Sequence, residues 1–172
     1  ELEPTRPRVG IISAGKSWGD VRGALAMLGL DDEAAAAAGV RLLKVGMTWP
    51  LDPEIVASFA QGLERILVVE EKMAFLEEQV KALLFDSPAA GRVHVSGKTV
   101  RPGDGGLPLA GEMSPQVVAK SIAALIGIPL TAASELQPAP AGPVRMPNFC
   151  SGCPHNTSTV VPEGSRAMAG IG

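Results

Sequence analysis

Cys150-Ser151-Gly152-Cys153-Pro154-His155 is the stretch whose residue types point most directly to chemistry. Two thiolates two residues apart can grip one metal ion or cluster, because the intervening turn brings both sulfurs to one side. Gly152 relaxes that turn, and backbone N–H groups there are available to bond sulfide. A thioredoxin-like redox pair sits at a helix N-terminus after a strand, and Asn148-Phe149 offers no such strand. The plain alternative is a pair of unligated cysteines in a loop. A [4Fe–4S] cluster usually takes four thiolates, so this pair could supply only half a site. His155 is a candidate third ligand, but Pro154 stiffens its approach, and a hydrogen bond near a bound group is the expected role.

Two further patterns carry possible chemistry. Gly10-Ile11-Ile12-Ser13-Ala14-Gly15-Lys16-Ser17 matches the phosphate-loop pattern in full, and Ile66 to Glu71 imitates the apolar strand and carboxylate that would hold magnesium. A nucleotide-binding module is therefore the alternative function to weigh. A phosphate loop needs its strand before the first glycine, so that the backbone between the glycines can wrap phosphate. Here Pro4 and Pro7 interrupt the upstream chain, and Ile11 and Ile12 must be strand, leaving no loop to curl. Glu70 and Glu71 are neighbours on an extended chain and point oppositely, which argues against a cooperating acid–base pair. The expectation is that Glu71 caps the following helix while Glu70 pairs with a cation or partner chain.

The elements that must position these residues centre on Arg65 to Lys72. Ile66, Leu67, Val68 and Val69 form an unbroken apolar run, as a strand covered on both faces does, and two carboxylates stop it. Val9–Ala14 and Val40–Val45 read as further strands, and Arg92–Ser96 alternates as an edge strand with one wet face should. Between them, Ser17 to Asp20 shows the capping-box pattern, with Ser17 at the N-cap ahead of Val21, Ala24, Leu25 and Leu28. A short helix is expected over 31–38. Asp52 caps a helix with Pro53 at N1, and Ile55, Val56, Phe59 and Leu63 supply its apolar stripe. The next helix is predicted from Lys72 to Phe85, with Met73, Leu76, Val80, Leu83 and Leu84 inward and Glu77–Lys81 paired outside. Ser114-Pro115 opens the last helix, with Val118, Ile122, Leu125 and Ile126 inward.

This βαβαβαβ order with short connections implies right-handed crossovers and a mostly parallel sheet in a three-layer α/β/α fold. Residues 1–8 read as a linker, 9–137 as the folded domain and the Pro-rich 138–147 as a second linker. Residues 148–172 have too little apolar content to fold alone. Five glycines between Gly97 and Gly111 predict a mobile or partner-covered loop.

Composition excludes several functions. A net charge of -3 and an aromatic fraction of 3%, with no Tyr, give neither a basic footprint nor stacking platforms for nucleic acid. No apolar run approaches the ~20 residues of a membrane span. Two cysteines cannot form a disulfide framework and suit a reducing cytoplasm. The chain runs from Glu1 to Gly172 without a terminal helix, which predicts a piece of a longer protein.

Four stretches together resemble one family: Ser13-Ala14-Gly15-Lys16-Ser17 with the helix after it, Lys44 to Glu54, Ile66 to Lys72, and Asn148 to Gly172. They are similar to the indolepyruvate:ferredoxin oxidoreductases, particularly the large fused form. The resemblance implies oxidative decarboxylation of a 2-oxo acid with thiamine diphosphate, Mg2+ and [4Fe–4S] clusters, electrons passing to ferredoxin and the acyl group to coenzyme A. It implies that residues 9–137 are the transketolase C-terminal-like domain, acting by packing cofactor modules of the same enzyme together. The implied strand order is 2-1-3-4, flanked in the family by an antiparallel strand, and it brings Gly15-Lys16-Ser17 and Glu70-Glu71 together at the switch point. Residues 148–172 would begin the diphosphate-binding module, with Cys150 and Cys153 as two ligands of the cluster nearest the cofactor. His155, Gly170, Ile171 and Gly172 would lie at the thiamine site. The next cysteine of that segment, the magnesium motif and the pyrimidine-side glutamate are missing from this sequence. The chain alone is therefore expected to hold no cofactor and to carry no catalytic residue. A homo-oligomer is an assembly the resemblance leaves open.

Overall fold

The computed structural model describes residue 4 and residues 6–85, 93–98, 106–129 and 148–167. These belong to two compact units, Glu1–Gln137 and Pro138–Gly172.

The first unit is a parallel sheet covered by helices on both faces. Strand β1 is Val9–Ala14, β2 Val40–Val45, β3 Arg65–Val69 and β4 His94–Ser96. Their order is β2-β1-β3-β4, with every pairing parallel. Val9 stands opposite both Val40 and Arg65, and the β1–β2 register runs unbroken to Ala14 opposite Val45. Helices α1 (Lys16–Met27), α2 (Asp32–Ala37), α3 (Pro53–Ala60), α4 (Phe75–Phe85) and α5 (Pro115–Ile126) complete the unit.

The order of the strands decides which helices share a face. From β1 the chain steps one way to β2, whereas β2 to β3 and β3 to β4 both step the other way. Right-handed crossovers then place α1 on one face and α3 with α4 on the opposite one. The two cores follow that division. Ile11, Leu67 and Val69 pack with Val21, Ala24 and Leu25 of α1 and with Val118 and Ile122 of α5. Ile12, Ile66 and Val68 pack with Val56 and Phe59 of α3 and with Leu76 and Val80 of α4. The four apolar side chains of β3 are each no more than 1% exposed, and burying one contributes about 1.5–3 kcal/mol.

Several expectations change at helix ends. Helix α1 begins at Lys16, with Gly15 as N-cap at φ 54 and no side-chain cap. Ser17 is thus inside the helix and buried, because glycine's tolerance of positive φ lets the chain turn earlier. Asp52 caps α3 as expected, its carboxylate accepting from the Glu54 and Ile55 N–H groups. Ile55 itself faces solvent, while Val56, Phe59 and Leu63 are buried. Helix α4 starts at Phe75 rather than Lys72, since Lys72 sits at φ 54, outside the helical region. That leaves Met73 exposed rather than inward.

Strand β4 is shorter than predicted, and Arg92 lies outside the described residues. Its expected wet face is largely covered: Ser96 is buried and His94 half-buried. The Leu107 N–H bonds Gly97 O at 2.9 Å, so the chain folds back over the strand's end. This pins the described ends of the 97–111 segment, and residues 99–105 of that expected loop lie outside the described residues. Among the described residues, no helix is long and apolar enough to cross a membrane.

Candidate functional site

The carboxyl edge of β1 and β3 is the switch point of the sheet, where open α/β folds place their ligands. The phosphate-loop pattern does not form a loop there. Gly10 to Ala14 is strand throughout, and a Cβ on Gly10 would stand 2.6 Å from Leu63 Cδ1 and 2.7 Å from Phe59 Cε1. Gly10 is therefore a packing glycine under α3. Gly15 makes the turn that lifts Lys16 onto the switch point.

Lys16 fills that position with its own chain's partners. Its Nζ lies 3.2 Å from Glu71 Oε1, 3.3 Å from Asp20 Oδ2 and 3.6 Å from Glu112 Oε1, and it donates to Met113 O at 2.5 Å. Desolvation pulls the ammonium down, but the hydrogen bonds and charges of Glu71 and Asp20 outweigh it and hold Lys16 above the ordinary lysine value. One cation thus ties α1, the turn after β3 and the segment leading into α5.

The two carboxylates after β3 exchange the roles expected of them. Glu70 caps α4: Oε2 accepts from Phe75 N at 3.1 Å and Leu76 N at 2.7 Å, and Oε1 from Glu77 N at 3.0 Å. Glu71 is the one that pairs with a cation, Lys16. Alternation explains the exchange. Residue 70 shares the face of Ile66 and Val68, where α4 lies, and residue 71 shares the face of Leu67 and Val69, where α1 lies. Burial raises the Glu70 carboxyl above the ordinary range, against the pull of its three backbone donors.

Behind Glu70 lies a second buried carboxylate. Glu77 was expected to pair with Lys81 on a wet surface, yet it is fully buried. Its Oε1 accepts from Lys81 Nζ and its Oε2 from the Lys98 backbone N–H, each at 2.6 Å. A Cβ on Gly97 would fall 2.7 Å from both Glu77 Oε2 and Val68 O, so only glycine admits this approach. Lys98 is buried with its Nζ on Pro108 O at 2.6 Å. Desolvation lowers its ammonium below the ordinary value despite the nearby Glu70, Glu71 and Glu77.

Beside this polar block stands an apolar lip. Met47 and Trp49, after β2, and Met73 and Phe75, after β3, are all at least half exposed. The Trp49 and Phe75 ring centroids are 6.1 Å apart. Gln79 holds the loop after β2 against α4: Oε1 accepts from Leu51 N, while Nε2 donates to Thr48 O and to Phe75 O of its own helix. The sequence offered no signal for Gln79 or Lys98, since their partners lie 21 to 31 positions away or fold back from another loop.

In the second unit, Cys150 is exposed and Cys153 half-buried, both as free thiols. Cys153 N donates to Cys150 O at 3.0 Å, and Gly152 takes φ 80 in the turn between them. His155 opens the short helix α6 (His155–Ser158), with Nδ1 3.2 Å from Cys153 Sγ. Among the described residues, no group of three or more His, Cys, Asp or Glu could hold a metal ion. The turn presents two soft sulfur donors and no hard ones. That chemistry fits part of an iron–sulfur ligand set, with the other ligands supplied from elsewhere. Gly170, Ile171 and Gly172 lie outside the described residues.

Residues 2–138 match the sequence model of the indolepyruvate oxidoreductase domain. The chain is also similar to the indolepyruvate oxidoreductase subunit IorA of Methanothermobacter marburgensis, at 37% identity over 153 residues, covering 89% of this chain and 22% of that protein. IorA of Pyrococcus abyssi is 33% identical over 161 residues, covering 90% of this chain and 22% of the relative. The chain thus spans about a fifth of the length of these relatives. Among solved structures, a split gene transketolase, an inactive beta4 tetramer, aligns with a TM-score of 0.50 at 18% identity. The alignment covers 73% of this chain and 40% of that one, and it shares the α/β/α fold described above.

Proposed function

The chain belongs to the indolepyruvate oxidoreductase family, and from that premise we propose that residues 9–137 are an internal packing module of a larger thiamine diphosphate-dependent 2-oxo acid:ferredoxin oxidoreductase. The observation that carries this reading is the closed switch point. Where a doubly wound fold would bind a ligand, Lys16 is held by Glu71, Asp20, Glu112 and Met113 O. The module keeps that edge for holding itself together. The exposed lip of Met47, Trp49, Met73 and Phe75 supports the same reading, because it offers apolar area to a neighbouring module of the enzyme. A nucleotide-binding role finds no support in a glycine pattern that lies within a strand.

In this reading 138–147 is a linker, and 148–172 opens the diphosphate-binding module, with Cys150 and Cys153 as cluster ligands and His155, Gly170, Ile171 and Gly172 near the thiamine site. In the intact enzyme, thiamine diphosphate with Mg2+ would supply carbanion chemistry for decarboxylating indolepyruvate, and [4Fe–4S] clusters held in part by Cys150 and Cys153 would provide a route for electrons to ferredoxin, with coenzyme A as acyl acceptor. The residues of this chain position and insulate; none acts on the substrate. The isolated chain is accordingly inactive, and the enzyme works in the cytoplasm, where its thiols stay reduced.

Replacing Cys150 by Ser in the full-length enzyme tests the reading. Iron content and electron transfer to ferredoxin should both fall. Unchanged iron and unchanged turnover would remove the ligand assignment. Tight, Lys16-dependent binding of ATP with magnesium would instead overturn the packing role.

A further inference from the structure

The imidazole of His155 is fixed from two sides. One face stacks on Phe149, with centroids 5.1 Å apart and planes inclined by 27°, and Nδ1 meets Cys153 Sγ at 3.2 Å. The cysteine turn is itself braced, since Asn156 Nδ2 donates to Cys150 O and Asn156 N to Cys153 O, each at 3.0 Å. This arrangement distinguishes two roles for the histidine. A [4Fe–4S] cluster takes one protein ligand per iron, so two ligand atoms on it stand well beyond hydrogen-bond distance of each other. The closer contact here is a hydrogen bond. His155 addresses the sulfur rather than a metal.

We propose that His155 is a positioning residue for Cys153: its Nδ1–H donates to Sγ, sets the direction of that thiolate and raises the reduction potential of the cluster it ligates. The inference rests on the ligand assignment made above. A ligating thiolate carries no proton, so Nδ1 must be the donor in the pair. A hydrogen bond to a ligand sulfur stabilises the more negative, reduced cluster, which moves the potential upward. Phe149 holds the ring in line for that bond, so the sequence Phe-Cys-x-x-Cys-Pro-His works as one unit.

The test is a redox titration of the full-length enzyme, followed by electron paramagnetic resonance, with iron content measured on the same samples. His155→Phe should keep its iron and shift the midpoint potential of one cluster downward. His155→Asn, whose amide nitrogen falls near the place of Nδ1, should recover most of that shift. Full iron with an unmoved potential in His155→Phe overturns the proposal. So does loss of iron in His155→Phe to the extent seen in Cys150→Ser, which would make the histidine a ligand. Full iron in Cys150→Ser overturns the ligand assignment and this inference with it, whereas iron lost there beside an unmoved potential in His155→Phe overturns this inference alone.

Discussion

The carboxyl edge of the sheet and the cysteine turn are both polar, yet they direct their polar groups in opposite ways. At the sheet edge, Glu70, Glu71, Glu77, Lys16 and Lys98 spend their bonds on backbone groups and on each other. At the turn, the two sulfurs stay free of disulfide, and Cys150 faces outward. The buried Glu70, Glu77 and Lys98 must be matched by nearby donors or acceptors, so that part of the edge is closed, while Lys16 and Glu71 pair within reach of solvent. An exposed thiol carries no such demand and is available to a bound group. The difference teaches that a cluster of ionisable residues at the usual ligand position of a fold can be structural, while a sparse turn elsewhere leaves its donors free.

The strongest way to break the comparison is at Gly97. Gly97→Ala sets a Cβ 2.7 Å from Glu77 Oε2 and from Val68 O, a backbone atom held within β3. A loss of about 3 kcal/mol is expected in urea denaturation. A loss below half that would show that the Glu77 cluster yields easily and is not a closed unit. Glu70→Ala should come next, at about 2 kcal/mol, because three N–H groups at the start of α4 lose their acceptor. If Glu71→Ala costs as much, the assignment of cap and ion pair to separate residues is wrong.

The pH dependence sharpens the comparison further. Burial raises the Glu70 carboxyl in the folded state, so its contribution is full below the ordinary value of about 4.3 and is lost as pH rises through the raised one. The stability of the wild type relative to Glu70→Gln, read as the Tm difference, should fall as pH rises from about 4.3 through the raised Glu70 value. A difference that grows over that range would mean that the three backbone donors dominate burial.

Smaller effects are expected at the exposed groups. Lys16→Gln removes ion pairs that reach solvent, so Tm should move less than in Glu70→Ala. A larger shift would make Lys16 the central tie of the edge rather than one of several. The smallest change belongs to Cys150→Ser in the chain itself, where Tm should stay put because the thiol is exposed. A clear drop would mean that the turn is part of a core, and the contrast between the two regions would fail.

How much of this was readable differs by residue. The strand limits at Val9–Ala14 and Val40–Val45 and the cap at Asp52 follow from local chemistry: apolar runs and a short acceptor before proline. Glu70 and Glu71 were half readable. Alternation separates their directions, but which helix lies on which side depends on strand order, a property of the assembled sheet. Glu77 was unreadable as a buried group, because an acid four residues before a lysine is the usual mark of a wet helix face. Its second partner arrives from Lys98, 21 residues on.

The sequence by itself determined the α/β class, the central position of β3, and a paired-thiol turn relaxed by Gly152, since each rests on neighbours within a few residues. Tertiary structure alone decided that Lys16 occupies the switch point, that Glu77 is buried beneath Gly97, and that Gln79 joins the loop after β2 to α4. Those outcomes need atoms from distant segments to converge, and a local pattern carries no information about which segments will meet.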